Sequence, residues 1–193
     1  MGLRDEKKQA TRTAIADSAL MLFLKKGFDR VTVAEVARAA NVSVNTVFNY
    51  FPTKEDLLFD RQDEVVRRLA RAVHDRAGDE SPAAAVCRAF LDRLDRDDPT
   101  LGLHPGAARL WRVVDDSPAL LARVRLLREL TEDALAEALP SGSRLTAAVL
   151  AAADHALHAE IRRRVTLGEP TSDIRAAIRA DAERAFAVIG GLT

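Results

Sequence analysis

Apolar side chains recur at helical spacing along most of the chain, and breaks at Pro, Gly and Asp separate the periodic segments. Few segments have the alternation or the β-branched content of strands. The pattern therefore predicts an all-α protein. Beyond residue 52 the predicted helices are Thr53 to about Arg76, Pro82 to Asp95, Ala107 to Asp115, Ser117 to Leu139, Leu145 to Thr166 and Asp173 to Ile189, with a break at Pro140 to Gly142.

Before residue 52 the sequence predicts two short helices joined by a tight turn. Thr32 and Glu35 have the spacing of a capping box, which marks the start of a helix. Asn41 tolerates the left-handed conformation that ends a helix, Ser43 can cap the next one, and Pro52 closes it. Two helices joined by about three residues form a helix-turn-helix.

The second of these helices presents polar, uncharged side chains outward. Its predicted core face is Val47 and Phe51, with Val44 or Phe48 at the margin. The outward residues are Asn45, Thr46, Asn49 and Tyr50. Asn can bond an adenine edge, a Thr methyl can contact thymine, and Tyr can bond a phosphate. Each residue alone could simply solvate a helix, but the set favours base reading in double-stranded DNA.

Positive charge is concentrated in the N-terminal third of the chain. Residues 1–54 carry nine Lys and Arg against five acidic residues, whereas the whole chain has no net charge. No charged side chain lies between Arg38 and Lys54. We therefore expect phosphate attraction in this third, with Lys54 as the best single ligand and with help from the amide ends of helices that begin at Thr32 and Thr53.

The stretch from about Lys7 to Leu58 resembles the DNA-binding domain of the TetR family of one-component bacterial regulators. The segment TRTAIADSALMLFLKKGFDRVTVAEVA resembles the family's first helix, its Gly-Phe corner and its capped second helix. The segment VSVNTVFNYFPTKEDLL resembles V-S-x-x-x-[LF]-Y-x-[HY]-F-x-[ST]-K-[ED]-x-L, with Tyr50 and Lys54 at the matching positions.

Two positions depart from the family pattern. Phe48 stands where a tyrosine is frequent, so a hydroxyl-to-phosphate bond is absent, and Val44 stands where a basic or polar residue is common. Base reading should therefore depend on Asn45, Thr46 and Asn49. The complete set of predicted DNA-binding residues is Thr32, Ser43, Val44, Asn45, Thr46, Asn49, Tyr50 and Lys54.

The resemblance implies two domains and a mode of action. Residues 1–52 would form a three-helix helix-turn-helix DNA-binding domain, and residues 53–193 a helical ligand-binding and dimerisation domain. The expected protein is a homodimeric repressor that a small-molecule effector releases from a palindromic DNA operator. A dimer also makes physical sense, because one short helix reads too few base pairs to be specific.

The last two predicted helices carry wide stripes of apolar and small residues. Such stripes could pack within one chain or against a second copy, and the resemblance favours the second copy. The predicted dimerisation residues are Leu145, Val149, Ala152, Ala156, Leu157, Ile161, Ile178, Ala182 and Phe186.

The middle helices supply candidates for an effector site. These are Phe90, Leu94, Arg109, Leu110, Trp111, Val114, Leu127 and His155. Their mainly apolar character predicts a largely apolar effector, with an acidic group as an option. The alternative is that Leu, Phe and Trp at helical spacing are simply core residues.

Other features argue against competing functions. His155 and His158 lie beside Asp154, but this spacing without a third ligand fits a zinc site poorly, so we expect no metal and no cofactor. The lone Cys87 lies in an apolar run and is interpreted as a core thiol. The sequence has no apolar h-region and no run of 18 apolar residues, which predicts a cytoplasmic protein without a membrane partner.

Two alternative functions remain. An enzyme is the weaker one, because there is no Gly-rich phosphate loop, nucleophile elbow or spaced metal-ligand set. A helical adaptor could bind another protein through the C-terminal stripes. That alternative leaves the capped Asn/Thr helix and the polarised charge without a purpose.

Overall fold

A computed structural model of the protein describes residues 2–104, 106–139 and 143–191. Within these ranges the chain forms α-helices, two short 3-10 turns and no strand, so the prediction of an all-α protein is confirmed. In chain order the helices are α1 (Leu3–Lys26), α2 (Val33–Ala39), α3 (Val44–Tyr50), α4 (Gln62–His74), α5 (Pro82–Asp95), α6 (Ala107–Asp115), α7 (Pro118–Ala138), α8 (Arg144–Thr166) and α9 (Thr171–Gly190). The predicted break at Pro140 to Gly142 lies outside the described residues.

The predicted helix from Thr53 to Arg76 is the clear error in this assignment. The chain instead forms a 3-10 turn over Glu55–Leu57, and α4 begins only at Gln62. Thr53 and Asp56 close this turn reciprocally: the Asp56 amide donates to Thr53 Oγ1 at 3.3 Å, and the Thr53 amide donates to Asp56 Oδ2 at 2.9 Å. These side chains accept hydrogen bonds from the backbone amides of a single turn. They therefore offer this segment an alternative to a continuous helix.

The described chain divides into two compact units. The first contains residues up to Gln62 together with Arg109–Arg123, and the second contains Asp63–Ala108 and the residues from Val124 onward. The first unit thus extends past the predicted boundary at residue 52 and also includes the end of α6 and the start of α7. The functional assignment of residues 1–52 and 53–193 stays a prediction.

The core of the first unit follows from the periodicity of α1. Ile15, Ala19 and Phe23 recur every four residues and are completely buried. Gly27 ends α1 with φ of 83°, a conformation that favours glycine, and its amide bonds the Phe23 carbonyl. Phe28 follows, with its ring centroid 4.9 Å from that of Phe23. The helix and its corner are therefore set by local sequence rules.

The second unit is built around α5, α8 and α9. Helix α9 packs against both α5 and α8, and α4 and α7 add further side chains to the same core. Its largest buried residues include Phe90 of α5, Leu150 of α8 and Ile178 of α9. These helices are amphipathic, so burial of their apolar faces stabilises the unit.

Candidate nucleic-acid interface

The start of α2 has the capping box that the sequence predicts. The Glu35 amide donates to Thr32 Oγ1 at 3.2 Å, and the Thr32 amide donates to Glu35 Oε2 at 2.8 Å. Lys26 Nζ lies 2.7 Å from Glu35 Oε1. The hydrogen bond from Lys26, followed by those from Thr32, lowers the pKa of Glu35 to about 2. The carboxylate therefore joins the end of α1 to the start of α2.

The turn between α2 and α3 also matches its prediction. Asn41 has φ of 55°, in the left-handed region that ends the first helix. The Val42 amide donates a hydrogen bond to the Ala37 carbonyl at 2.9 Å. Ser43 Oγ accepts the Thr46 amide at 3.0 Å and lies 2.8 Å from the Thr46 hydroxyl. The Ser43 and Thr46 hydroxyl groups are thus engaged with each other, which leaves the Thr46 methyl as its apolar contact group.

Helix α3 divides into a buried face and an outward face. Val47 and Phe51 each have an exposed fraction of 1%, as predicted for the core. Asn45 and Asn49 are exposed, and Thr46 and Tyr50 are half-buried. This placement orients two amide side chains away from the unit, where a nucleic acid could meet them. We call α3 the reading helix.

Two apolar residues of the reading helix also lie outward. Val44 is 38% exposed and Phe48 is 47% exposed. The sequence placed one or the other at the margin of the core, and Phe48 was left out of the predicted DNA-binding set. The helical period alone did not predict this exposure, because positions 44 and 48 lie beside Val47 and Phe51 on the same side of an ideal helix.

Arg12 of α1 secures the C-terminal end of the reading helix. Its Nη1 donates to the Tyr50 carbonyl at 3.0 Å, and its Nη2 donates to the Asp60 carbonyl at 3.2 Å and lies 2.7 Å from Asp60 Oδ1. The guanidinium also stacks 4.5 Å from the Phe51 ring centroid. The sequence suggested only that Arg12 adds positive charge, so this positioning role was missed.

Lys54 is also engaged inside the first unit. Its Nζ donates to the Phe28 carbonyl at 2.7 Å and lies 4.2 Å from the Phe28 ring centroid. Partial burial lowers the pKa of Lys54, although Asp29 and two glutamates act in the opposite direction. An ammonium has three donors, so one bond to a carbonyl leaves capacity for a phosphate.

The residue before α7 and one residue of α7 make polar contacts within the same unit. Ser117 Oγ donates to Asp29 Oδ1 at 2.8 Å. Arg123 bonds Asp56 and also donates to Gln62 Oε1 at 2.7 Å. Burial is the largest influence on Asp56 and opposes its ionisation, but bonds from Thr53 and Gln62 together with Arg123 outweigh burial and lower its pKa. Asp56 thus remains a charged partner for Arg123.

The predicted effector residues are divided between the two units. Arg109, Leu110, Trp111 and Val114 belong to the first unit, and Phe90, Leu94, Leu127 and His155 to the second. Phe90 and Leu94 have exposed fractions of 2% and 0% and lie in the core of the second unit. For these two residues the positions agree with the alternative, in which they are core residues.

A groove of about 290 Å³ in the second unit has a different lining. It follows α4 and α5 and is lined by Glu64, Val65, Arg68, Arg71, Ala72, Asp75, Arg88, Ala89, Asp92, Arg93, Arg96, Asp98 and Thr100. None of the eight predicted effector residues is among them. The many Arg and Asp side chains also contrast with the largely apolar site that the sequence predicted.

A buried polar cluster lies beside this groove, within the second unit. Arg68 pairs with Asp154, which is completely buried, and His158 Nδ1 lies 2.8 Å from the Asp154 carbonyl oxygen. Burial lowers the pKa of His158 to about 4, although Asp154 favours its protonation. The Phe90 ring meets the imidazole edge to face at 5.7 Å. The cluster therefore joins α4 to α8 through charge.

Five of the predicted dimerisation residues are buried within their own chain. Leu157, Ile161, Ile178, Ala182 and Phe186 have exposed fractions of 5% or less and pack inside the second unit. A side chain that is already buried in its own chain has little surface to offer a partner. Contact of these five residues with a second copy stays a prediction.

The other four predicted residues form an outward stripe on α8. Leu145 is 78% exposed and Val149 is 41% exposed, and Ala152 and Ala156 are also exposed. Their spacing of four, three and four residues places them on one side of the helix. The opposite side of α8 supplies Leu150, Leu157 and other core residues. We call the outward set the α8 stripe.

Cys87 and the histidines are the side chains that redox or metal chemistry would use. Cys87 is half-buried against the core of the second unit, and burial, followed by the charge of Glu183, raises the pKa of its thiol. A raised pKa makes a thiol less reactive. Among the described residues, no group of three His, Cys, Asp or Glu side chains is arranged to hold a metal ion.

A capped helix, a left-handed turn and a second helix with exposed amides define the first unit as a helix-turn-helix of the DNA-binding type. Residues 15–60 match the family described as "Bacterial regulatory proteins, tetR family". The DNA-binding segment of the chain is thus similar to that of the TetR family.

Curated relatives match over longer stretches of the chain. The chain is 33% identical over 138 residues to HTH-type transcriptional regulator TcmR of Streptomyces glaucescens, a match that covers 70% of this chain and 61% of that protein. It is 36% identical over 110 residues to HTH-type transcriptional repressor LfrR of Mycolicibacterium smegmatis, which covers 56% of this chain and 44% of that protein. The chain thus spans less than two thirds of either relative.

The fold itself matches over nearly the whole chain. Salmonella enterica GusR superposes with a TM-score of 0.59 at 15% sequence identity, over 95% of both chains. This similarity supports the helical architecture of both units. Within the described residues, no helix has the length and apolar character needed to cross a membrane.

Proposed function

We propose that the protein is a sequence-specific DNA-binding transcriptional regulator that acts as a homodimeric repressor. The observation that carries this proposal is the outward face of the reading helix, where Asn45 and Asn49 are exposed while Val47 and Phe51 anchor the helix in the core. Similarity to the TetR family and to a relative named as a repressor supports it. Binding to chromosomal DNA would place the protein in the cytoplasm.

DNA contact would combine phosphate and base recognition. The proposed base-reading residues are Asn45, Asn49, Val44 and the methyl of Thr46. Tyr50, Ser43, Thr32 and Lys54 would contact the phosphate backbone and set the register. Positive charge in the N-terminal third would supply the salt-dependent part of the affinity.

A second copy would bind through the α8 stripe. Leu145, Val149, Ala152 and Ala156 present apolar and small side chains to solvent, and small residues allow two helices to approach closely. On α9, Ala187 and the 66% exposed Val188 add further apolar surface. Two reading helices related by a two-fold axis would then match a palindromic operator.

A small-molecule effector would bind the second unit and alter the DNA affinity of the first. The groove along α4 and α5 supports this because it has a concave shape and is lined by five Arg and four acidic side chains. Its lining would suit a polar or charged effector better than the largely apolar one expected from the sequence. Linkage requires that operator DNA weaken effector binding by the same factor that effector weakens DNA binding.

Titration of the purified protein against duplexes from its own upstream DNA tests the proposal. Specific binding should exceed random-duplex binding by at least about 10³-fold and fall steeply with salt. Asn49→Ala should lose about 1–3 kcal/mol on the specific duplex and almost nothing on random DNA. Equal weak binding to all duplexes would instead favour the adaptor function.

The effector part has a separate test. A compound that releases the operator should bind Arg71→Gln more weakly, because Arg71 lines the groove, and should bind Arg125→Gln normally, because Arg125 is an exposed residue of α7 outside it. Isothermal titration calorimetry would measure the binding. Unchanged affinity for the Arg71 variant would exclude the groove as the effector site.

A further inference from the structure

The reading helix has an apolar ridge beside its amide side chains. Val44 and Phe48, which form this apolar ridge, are one helical turn apart and are 38% and 47% exposed. Asn45 and Asn49 are one turn apart on the adjacent line of the helix and are exposed as well. Each apolar residue is therefore followed by an amide residue.

The major groove offers little for an exposed hydrophobic side chain to contact. On the base edges that face this groove, the apolar group is the C5 methyl of thymine, whereas the other groups are hydrogen-bond donors or acceptors. An apolar side chain placed against a polar edge would leave that edge unsatisfied. The apolar ridge therefore matches thymine, and the neighbouring amides match adenine, the partner of thymine in the same base pair.

We infer that Val44 and Phe48 are specificity-determining residues that contact thymine methyl groups, so each half-site contains two A·T base pairs read by the ridge. This inference rests on the proposed DNA-binding function. Four residues rise about 6 Å along a helix, which is nearly two base-pair steps of about 3.4 Å. The two thymines should accordingly lie about two steps apart in a half-site.

Phe48 differs from a tyrosine at the same position by one hydroxyl group. A phenolic hydroxyl could bond a phosphate and position the helix without reading sequence. Phe48 lacks that hydroxyl, and in the described structure its ring is neither in the core nor in an aromatic pair. The exposed ring is therefore available for direct base readout.

The test removes single methyl groups from the DNA. An operator is first selected from random duplexes with the full-length protein, and each thymine of the half-sites is then replaced by deoxyuridine, which lacks only the C5 methyl. At two positions about two steps apart, this replacement should weaken binding by about fourfold per methyl, the value expected for burial of one such group. Replacement elsewhere should have no effect, except at a thymine that the Thr46 methyl contacts.

Protein variants assign each methyl to its residue. Phe48→Ala should bind more weakly and lose its sensitivity to deoxyuridine at one position, and Val44→Ala should lose it at the other. Asn49→Ala is the matched control, since it should bind more weakly but keep both sensitivities. Thermal unfolding checks that each variant is folded, and the deoxyuridine series on the unaltered protein needs no variant.

The possible outcomes separate the inference from the function. Specific binding that is indifferent to deoxyuridine at every position would overturn the thymine contacts while leaving the regulator function intact. Sensitivity that persists at both positions in the Phe48→Ala and Val44→Ala variants would also overturn them. Failure to select any operator would count against the proposed function and the inference together.

Discussion

Arg12 and Tyr50 are 38 positions apart in the sequence, yet the Arg12 guanidinium donates a hydrogen bond to the Tyr50 carbonyl at 3.0 Å. This bond occupies one of the carbonyls that the last turn of a helix leaves without a partner. The same guanidinium pairs with Asp60, so the end of the reading helix and the following turn are held by one residue of α1.

Arg12→Met should destabilise the protein by about 2 kcal/mol, because it removes charge-assisted hydrogen bonds to two carbonyl groups. Specific DNA binding should weaken as well, since the end of the reading helix loses its anchor. Urea unfolding and operator titration measure the two effects. Lys8→Met changes an exposed cation of the same helix and should alter stability by less than about 0.5 kcal/mol. Similar losses in both variants would contradict the positioning role.

Lys54→Met separates the structural role of Lys54 from a phosphate contact. Loss of the bond to the Phe28 carbonyl should lower stability by about 1–2 kcal/mol. If Lys54 also binds a phosphate, affinity for all duplexes should fall alike and the slope of log affinity against log salt should flatten by about one unit. A slope that does not change would show that Lys54 serves the fold alone.

Val149→Glu should split the dimer and leave the monomer folded, because position 149 is exposed in the single chain and would be desolvated only at the interface. Light scattering coupled to chromatography gives the mass. Leu126→Glu is a matched control on α7, since Leu126 has the same exposed fraction of 41%. A monomeric Leu126 variant beside a dimeric Val149 variant would move the interface to α7.

Asp154→Ala should destabilise the protein by about 3–5 kcal/mol, because it leaves the Arg68 cation mostly buried without its partner. The double variant Asp154→Ala with Arg68→Met should recover part of this loss. Asp133→Ala breaks an exposed ion pair with Arg144 and should cost less than about 1 kcal/mol. Equal effects at positions 133 and 154 would show that the buried pair contributes nothing beyond a surface pair.

Stability should fall as the pH decreases from about 6.5 to about 4. His158 has a pKa of about 4 in the fold, below its ordinary value of 6.5, so in this window the unfolded chain binds a proton that the native chain does not. The loss from this residue should reach at most about 3 kcal/mol. Urea unfolding at several pH values checks it, and His158→Gln should flatten the dependence.

A residual slope should remain in the His158 variant. Burial also lowers the pKa of His155. Protonation of His155 therefore also favours the unfolded chain over part of the same pH range. The charged groups around His158 are Asp154, Arg68 and Arg93. A His158 variant with the full pH dependence of the natural protein would locate the effect elsewhere.

Local rules determined the helix-turn-helix from the sequence. The capping box of Thr32 and Glu35, the left-handed Asn41 and the core spacing of Val47 and Phe51 are all confirmed, because each depends on residues within about four positions of one another. The predicted bounds of α5 and α6 agree with the structure for the same reason, since Pro and Asp breaks act locally.

Partners distant in sequence were decided only by the tertiary structure. Arg12 and Lys54 have long, flexible side chains, and a sequence does not reveal which carbonyl such a chain will reach. The segment after Thr53 was predicted as helix, but Asp56 accepts hydrogen bonds from Thr53, Gln62 and Arg123. No continuous helix forms there. The last of these partners is 67 positions away.

The two sides of α8 also differ in a way that the sequence does not reveal. Leu157 and Val149 both belong to a helix that is apolar or small around much of its circumference, so periodicity marks both as buried. Only packing against α5 and α9 decides that Leu157 lies inside the second unit while Val149 remains exposed. A hydrophobic stripe predicts that one face of a helix is buried, but the neighbouring helices determine which faces are already covered within the chain.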